Sequence, residues 1–460
     1  MEAGKCTTPS RRSTATQFSK IATNKCDVVI GFDFGTSCTK VILQTPSFYN
    51  RWCAAVPFQQ NGKGAEKYFE PSRVYFSCPD GRVHLGSFQN ARLYSNIKII
   101  FLSRIRNQVI HDCSTESIPI TTNEFIVAYI ACVLQKVRLW FLENHAEKFG
   151  DFNLAWHFNL GIPSGSFKTD KIIEFLRIAQ ASWNLSTNKE EINLRDAFKE
   201  LEEINANQIE ASTGTGEISI VPEITAEGIA YSRSRQRSDG LHLIIDIGAS
   251  TLDLAAFTLF KRDGIDRHSQ LQTDVRLLGS FMLHEERVKA VWSHTQKYLK
   301  DGYRKLSIMD RIPEEMKIYW PSQDLPSDIN LAIYDKCFNV IFSLIHNLKT
   351  KRDINSDAWD KGLPVFLCGG GRNIPFYKRV MRDVNVRFIL ECGCAELQFK
   401  DLPKPENLLI DDFYRFAVAY GLSFFSFEIG VIKPSAKIQN IKRRFSDKYE
   451  NVSFIGKEQE

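Results

Sequence analysis

The sequence lacks the features that mark secreted and membrane proteins. Residues 1–25 contain no apolar run of the kind that a secretory signal needs, and no stretch is predicted to supply the roughly 20 apolar residues of a membrane-spanning helix. The 11 cysteines are odd in number and scattered, without the spacing of a disulfide framework. The close pair Cys392 and Cys394 has no second pair or histidine nearby to complete a zinc site. We therefore expect free thiols, a cytoplasmic location and no membrane span.

Excess charge is also scarce in the body of the chain. The formal net charge is +5 at pH 7, and the basic segments 1–25 and 431–460 supply +4 and +3 of it by residue count. The intervening body is left at about −2, which argues against a nucleic-acid-binding surface because such surfaces are basic. We expect 1–25 to form a disordered basic tail.

The length predicts more than one structural unit, because 460 residues exceed what one small hydrophobic core usually serves. The polar run SRSRQRSDG at 232–240 is predicted to link an N-terminal lobe, 26–231, to a C-terminal lobe, 241–425, with a second tail at 426–460. Strand-like and helix-like periodicities alternate in both halves, which predicts an α/β fold. The charge-rich segment 184–217 is either a solvated helix or an interaction surface.

The two halves begin with the same pattern. FDFGTSCTKVIL at 32–43 and LIIDIGASTLDL at 243–254 each contain an apolar strand, an aspartate, a glycine turn with hydroxyl residues and a second strand. A single Asp-x-Gly turn is weak evidence, because hairpin turns favour Asp and Gly for steric reasons alone. Two such turns, each after an apolar strand, indicate an internal repeat with one turn in each lobe.

These turns suit a polyphosphate. Gly35 and Gly248 let backbone N–H groups approach phosphate oxygens closely. The hydroxyl groups of Thr36, Ser37 and Thr251 add further donors. The sequence therefore predicts two phosphate-binding turns that face each other.

The aspartates before the turns, Asp33 and Asp246, are anions and would repel a phosphate directly. They are predicted instead to hold a hydrated Mg²⁺ that bridges them to a nucleotide. A third element, PVFLCGGGRNIP, places Gly369, Gly370 and Gly371 between a strand and a helix. Such a turn suits close approach to a sugar and base, although a strand-to-helix turn also needs glycine for packing.

The order of these elements resembles that of the superfamily of actin, sugar kinases and heat-shock chaperones. The connecting segment VPEITAEGIAYSRSRQRSDG is most similar to that of the nucleotide-binding domain of seventy-kilodalton heat-shock chaperones. LLGSFMLHEERV and FAVAYGL resemble the segments after the second turn and at the end of that domain. The resemblance covers about 27–425 and implies a two-lobed actin-like ATPase fold, in which each lobe has a mixed sheet flanked by helices and a nucleotide cleft lies between the lobes.

The resemblance also implies roles for individual residues. Glu223 matches the carboxylate that orients or deprotonates the attacking water, and Lys98 in NIKIIFL matches a lysine that neutralises the transferring phosphoryl group. An exposed structural lysine is the alternative for Lys98. Asn373 occupies the position of an arginine that stacks on adenine, and the adjacent Arg372 is the candidate to replace it. The matches in the two phosphate motifs and the adenosine motif are Asp33, Gly35, Thr36, Ser37, Asp246, Gly248, Thr251, Gly369, Gly370 and Gly371.

Some residues depart from the chaperone pattern. Ala249 and Ser250 replace glycines, so they either narrow the space for the γ-phosphate or shift the turn. Arg415 precedes FAVAYGL where an acid is usual, and 281–330 is short for the subdomain that completes the adenine clamp. These departures predict modest nucleotide affinity and weaken the prediction of hydrolysis more than that of binding.

Only some 35 residues follow Phe425, which is too few for the substrate-binding domain of the chaperones. The sequence thus predicts a chaperone-like switch that binds ATP or ADP with Mg²⁺, hydrolyses ATP slowly and acts through an unidentified protein partner. The alternatives are a catalytically weak or inactive scaffold, a filament-forming actin-like protein, and a small-molecule kinase whose base we do not locate. The oligomeric state is not indicated.

Overall fold

The structure is a computed structural model that describes most of the chain. The tail 1–23, the tail 434–460, the pair Cys392 and Cys394 and the second part of 184–217 lie outside the described residues. The described residues are 24–46, 51–59, 61–78, 80–102, 107–111, 118–163, 171–204, 218–233, 237–263, 265–295, 306, 310, 312–313, 315–319, 330–391, 402–429 and 431–433.

The N-terminal lobe is built on a mixed sheet that is centred on the strand of the first phosphate motif. In the sheet order β3-β2-β1-β8-β9, β1 pairs antiparallel with β2 and parallel with β8. The last seven residues of β1 are all buried, as expected for a central strand that is covered on both faces. The strands are β1 (Asn24–Phe34), β2 (Cys38–Thr45), β3 (Trp52–Ala55), β4 (Glu70–Pro71), β5 (Val74–Phe76), β6 (Val83–His84), β7 (Arg92–Tyr94), β8 (Phe152–Ile162) and β9 (Ile218–Pro222).

The helices of this lobe pack on the sheet and connect its strands. The longest, α2, starts with a capping box: the Glu124 carboxylate accepts the N–H of Thr121 at 2.6 Å, and the Thr121 hydroxyl accepts the N–H of Asn123. The helices are α1 (Ile97–Leu102), α2 (Thr122–Asn144), α3 (Ala146–Phe149), α4 (Lys171–Asn188), α5 (Leu194–Glu203) and α6 (Glu223–Arg233), with a 3-10 turn at Gly64–Tyr68.

Helix α2 differs from the expectation that no segment is apolar enough to span a membrane. Its 23 residues have a mean hydropathy of 1.7 over the most apolar window, so by length and composition it passes that test. In the structure 61% of that window is buried, and side chains such as Phe125, Tyr129 and Phe141 lie in the core of the lobe. Central helices of globular proteins are apolar on all sides for this reason.

The C-terminal lobe repeats the scheme with a sheet in the order β14-β13-β10-β11-β12-β15. Strand β10 pairs antiparallel with β11 and parallel with β13, so the second phosphate motif and the adenosine motif leave neighbouring strands. The elements are β10 (Gly240–Ile247), β11 (Leu252–Arg262), β12 (Ile265–Arg276), α7 (Ser280–Thr295), α8 (Met316–Tyr319), α9 (Leu331–Asn347), a π turn (Leu348–Arg352), α10 (Ala358–Lys361), β13 (Leu363–Cys368), α11 (Pro375–Asn385), β14 (Leu390–Glu391), a 3-10 turn (Ile410–Arg415), α12 (Ala417–Leu422) and β15 (Val431–Lys433).

A separate hydrophobic cluster joins the two lobes. It contains one face of each sheet together with α6 and α12, and its members include Ile42, Ile224, Ala255 and Tyr420. The predicted linker is thus partly structured, because α6 extends to Arg233 and β10 begins at Gly240.

Helix α12 returns from the C-terminal lobe to pack on α6 and β1. A Cβ at Gly421 would lie 1.8 Å from the Ala226 carbonyl oxygen, and one at Gly31 would lie 2.2 Å from the Ala419 oxygen. Backbone approach this close fixes the lobes next to each other. The predicted α/β fold, with a mixed sheet flanked by helices in each lobe, is confirmed.

Candidate functional site

A cavity of about 660 Å³ opens between the lobes, which is a size typical of small-molecule sites. The ends of β1, β10 and β13 deliver the three glycine turns to its walls. Of the residues predicted from sequence, twelve line it: Asp33, Gly35, Thr36, Ser37, Lys98, Glu223, Asp246, Gly248, Thr251, Gly369, Gly370 and Asn373. Gly371 and Arg372 do not.

The first turn is stabilised by an ion pair between neighbouring strands and by two hydrogen bonds from Ser72, which lies outside the hairpin. Asp33 lies opposite Lys40 in the β1–β2 register, and the Lys40 ammonium donates to its Oδ2 at 2.6 Å. Burial disfavours the ammonium, but the carboxylate of Asp33 outweighs this and raises the pKa of Lys40. The Ser72 hydroxyl donates to the Gly35 carbonyl at 2.7 Å, and the Ser72 N–H donates to the Ser37 carbonyl at 3.0 Å.

In the second hairpin the turn aspartate is also paired with a charged residue on the next strand, but that residue is an acid instead of a lysine. Asp246 lies opposite Asp253, and the Thr251 hydroxyl donates to Asp253 Oδ2 at 3.2 Å. Burial raises the pKa of Asp246 to about 6, with Asp33 and Glu223 adding repulsion, and burial raises the pKa of Asp253 well above its usual range. The Oδ1 atoms of both aspartates are buried without a hydrogen-bond partner.

At the floor of the cleft Lys98 and Glu223 form an ion pair. Lys98 lies on α1 and is buried, and its ammonium donates to Glu223 Oε1 at 2.7 Å. Glu223 is the first residue of α6, where the helix N-terminus also favours a carboxylate. Burial raises the pKa of Glu223, and Lys98 partly offsets the rise. The alternative of an exposed structural lysine is therefore wrong for Lys98.

Three functional candidates were missed from the sequence: Lys40, Asp253 and Glu227. Lys40 and Asp253 each follow the turn aspartate of their hairpin by seven positions, and the pairing of β1 with β2 and of β10 with β11 places them opposite it. Glu227 follows Glu223 by one helical turn, so both project from the same face of α6. Glu227 is 7% exposed, and burial raises its pKa well above the usual range.

The glycine turn at 369–371 contacts the glycine turn that follows Asp246 directly. Gly369 has a φ of 79°, and a Cβ there would lie 2.0 Å from Asp246 Oδ1. The Gly371 N–H donates to the Ile247 carbonyl at 2.9 Å. Glycine is therefore required here by both the backbone conformation and the space.

Arg372, the candidate to replace the adenine-stacking arginine, does not line the cavity. Its guanidinium lies 4.1 Å from the centre of the Tyr414 ring and donates to the Leu367 carbonyl at 3.3 Å. Asn373 lines the cavity, and its amide donates to the Tyr414 hydroxyl at 3.0 Å.

Two other departures from the chaperone pattern can be placed relative to the cavity. Ala249 lines it, whereas Ser250 is 2% exposed and does not, so one added methyl group faces the cleft. The short stretch 281–330 still contributes Phe281, Asp310 and Ile312 to the wall.

Within the described residues no three His, Cys, Asp or Glu side chains are grouped closely enough to bind a metal ion directly. A cation held through water between Asp33 and Asp246 needs no such group. The buried Oδ1 of Asp246, which lacks a partner, and the glycine turns beside it fit a hydrated cation with an attached polyphosphate.

Comparisons with known proteins add a likeness of fold. No protein-family model matches the sequence, and no curated protein matches it. Among solved structures, MreB5 of Spiroplasma citri bound to ADP matches with 14% identity and a TM-score of 0.45, covering 89% of this chain and 98% of that one. A likeness this distant assigns neither family nor activity, so the functional argument depends on the residues of the cleft.

Proposed function

We propose that this chain binds Mg·ATP in the cleft between its lobes and hydrolyses it slowly, as a chaperone-like nucleotide switch. The observation that carries the proposal is the buried Lys98–Glu223 pair, 2.7 Å apart, at a floor walled by two glycine turns. A carboxylate and an ammonium group beside a polyphosphate pocket are the groups that phosphoryl transfer to water needs.

Each residue of the pair has a distinct task. Glu223, whose pKa is raised by burial, is a stronger base than an exposed glutamate and would orient and deprotonate a water. Lys98 would stabilise negative charge that develops on the γ-phosphate. The backbone of the turns at Gly35 and Gly248 would hold the phosphates from both sides.

A magnesium ion would be held through water by Asp33 and Asp246. When bound, it supplies positive charge that neutralises the phosphate oxygens. The cleft carries more carboxyl than cationic groups, so a polyanion needs that added charge to enter.

The switch arises from the connection between the lobes. Helix α6 carries Glu223 at the cleft and runs through the hydrophobic cluster that joins the two sheets. A nucleotide that contacts both turns would favour a closed arrangement, because a ligand shifts an equilibrium toward the state it binds better. We propose that a partner protein binds selectively to this closed arrangement.

The test is phosphate release from Mg·ATP by wild-type protein and the Glu223→Gln variant, with binding measured in parallel. Loss of a general base should slow turnover by about 10²- to 10⁴-fold and leave binding nearly unchanged. Glu70→Gln is the matched control, because Glu70 forms a similar ion pair with Lys136 at 2.9 Å and does not line the cavity. Equal turnover in wild type and Glu223→Gln would refute the role of Glu223.

The inactive scaffold is the second candidate, and the methyl group of Ala249 in the cavity wall favours it. It predicts binding without phosphate release in the same assay. Closure is measured separately, by small-angle X-ray scattering with and without nucleotide, and an unchanged radius of gyration would argue against the switch.

A further inference from the structure

Arg415 lines the cleft at a position where the resemblance implies an acidic residue. It ends the 3-10 turn Ile410–Arg415, just before α12, and lines the cavity. Its guanidinium lies 4.3 Å from the centre of the Phe69 ring. That ring stacks in turn on Phe416, with centroids 5.6 Å apart. The aromatic support fixes the direction of the guanidinium without using its N–H donors.

The position of Arg415 is between the adenosine turn and the first phosphate turn. One of its terminal nitrogens lies 3.9 Å from where a Cβ of Gly370 would be. Cys38 and Lys40, which follow the first turn, line the same cavity as Arg415. Burial raises the pKa of the Cys38 thiol, while the charges of Lys40 and Arg415 both act in the opposite direction. Arg415 and Lys40 therefore face the same space.

Arg415 differs from the other two cations of the cleft in having no carboxylate. Three cationic and eight carboxyl side chains line the cavity. Lys40 pairs with Asp33 at 2.6 Å and Lys98 pairs with Glu223 at 2.7 Å. Within the described part of the chain, Arg415 has no ion-pair or hydrogen-bond partner. A guanidinium in this state matches phosphate oxygens, which it binds with two parallel hydrogen bonds.

We propose that Arg415 binds the phosphates next to the nucleoside and makes the cleft selective for nucleoside di- and triphosphates over the nucleoside. The proposal depends on the nucleotide-binding function argued above. The contact is made in the ground state and during turnover alike, so it contributes to affinity and leaves the chemical step to Glu223 and Lys98.

The experiment compares Arg415→Met with wild type in calorimetric titrations with Mg·ADP and Mg·ATP and in competition by adenosine. Methionine keeps an unbranched side chain over Phe69 and removes the charge. Affinity for ADP and ATP should fall by about 10- to 100-fold, the affinity for adenosine should change less than about threefold, and KM should rise with little change in kcat. Arg415→Lys should recover part of the loss.

Arg379→Met is the matched control, because the Arg379 guanidinium also lies over an aromatic ring, that of Tyr334 at 5.3 Å, but does not line the cavity. This variant should bind ADP as wild type does. Equal ADP affinity in wild type and Arg415→Met would overturn the phosphate contact, and an equal loss for adenosine and ADP would assign Arg415 a structural role only. Absence of nucleotide binding by wild type would instead refute the proposed function itself, so the two failures are distinguishable.

Discussion

Replacing Asp246 by asparagine should make the nucleotide-free protein more stable at neutral pH. Asp246 is the penultimate residue of β10, before the second turn, and its Oδ1 is buried and without a hydrogen-bond partner. Burial raises its pKa to about 6, Lys40 opposes this, and Asp33 and Glu223 add to it. An asparagine keeps the shape and removes the charge, so it relieves a cost that the folded protein carries for function.

The magnitude and the pH range follow from the two pKa values. The folded-state pKa of about 6 lies above the reference value of 3.8, so ionisation favours the unfolded chain. The difference between the two pKa values corresponds to about 3 kcal/mol of unfolding free energy. We reduce this to about 1–3 kcal/mol, because the Asp246 side chain is partly exposed and lies near other charged groups. The contribution of Asp246 to stability is fully present below pH 3.8 and is lost as the pH rises through about 6.

Urea denaturation of wild type and Asp246→Asn at several pH values tests this reasoning. The free energy of unfolding should favour the variant by about 1–3 kcal/mol near pH 7.5, and the difference should shrink toward pH 4.5. Asp151→Asn is the control, because Asp151 is exposed on the N-terminal lobe. A variant less stable than wild type near pH 7.5, or a difference that does not vary with pH, would refute the account of Asp246.

Three further substitutions test the geometry of the cleft and of the joint between the lobes. Gly369→Ala should cost about 2–4 kcal/mol of unfolding free energy and abolish nucleotide binding, because its φ is 79° and its Cβ would meet Asp246 Oδ1 at 2.0 Å; wild-type affinity would contradict this. Ser72→Ala removes the hydrogen bond to the Gly35 carbonyl and should cost about 1 kcal/mol, with a several-fold loss of ATP affinity by titration. Gly421→Ala should cost about 3 kcal/mol or more in denaturation, because the added Cβ would lie 1.8 Å from a backbone oxygen of α6; an unchanged midpoint would show that the helices can separate.

The turns and their residues were predictable because their chemistry is local. Asp33, Gly35, Asp246 and Gly248 stand in short contiguous motifs whose spacing encodes strand, turn and strand, and the repeat marks both copies. The resemblance gave Lys98 and Glu223 separate roles, but the two residues lie 125 positions apart and their ion pair was not predicted. The glycine turns and the strands beside them were therefore predictable from sequence, whereas this long-range contact was not.

Other features depend on which way a side chain points and on which residue it contacts, and a sequence motif encodes neither. Arg372 follows the glycines directly, yet its guanidinium lies over the Tyr414 ring and the residue does not line the cavity. Lys40 and Glu227 lie outside the recognised motifs. Lys40 would have been found from the strand pairing that places it opposite Asp33, and Glu227 from its position one helical turn after Glu223. The apolar sequence of α12 likewise predicts burial but not its packing on α6 and β1 of the other lobe.

Calorimetric titration of wild-type protein with ATP, in the presence of Mg²⁺ and again with EDTA, tests the central claim most directly. We predict saturable binding of one ATP per chain that is weakened at least about tenfold by EDTA and also in Asp246→Asn. Absence of binding, or binding that is indifferent to both Mg²⁺ and Asp246, would contradict the assignment of this cleft to a magnesium nucleotide.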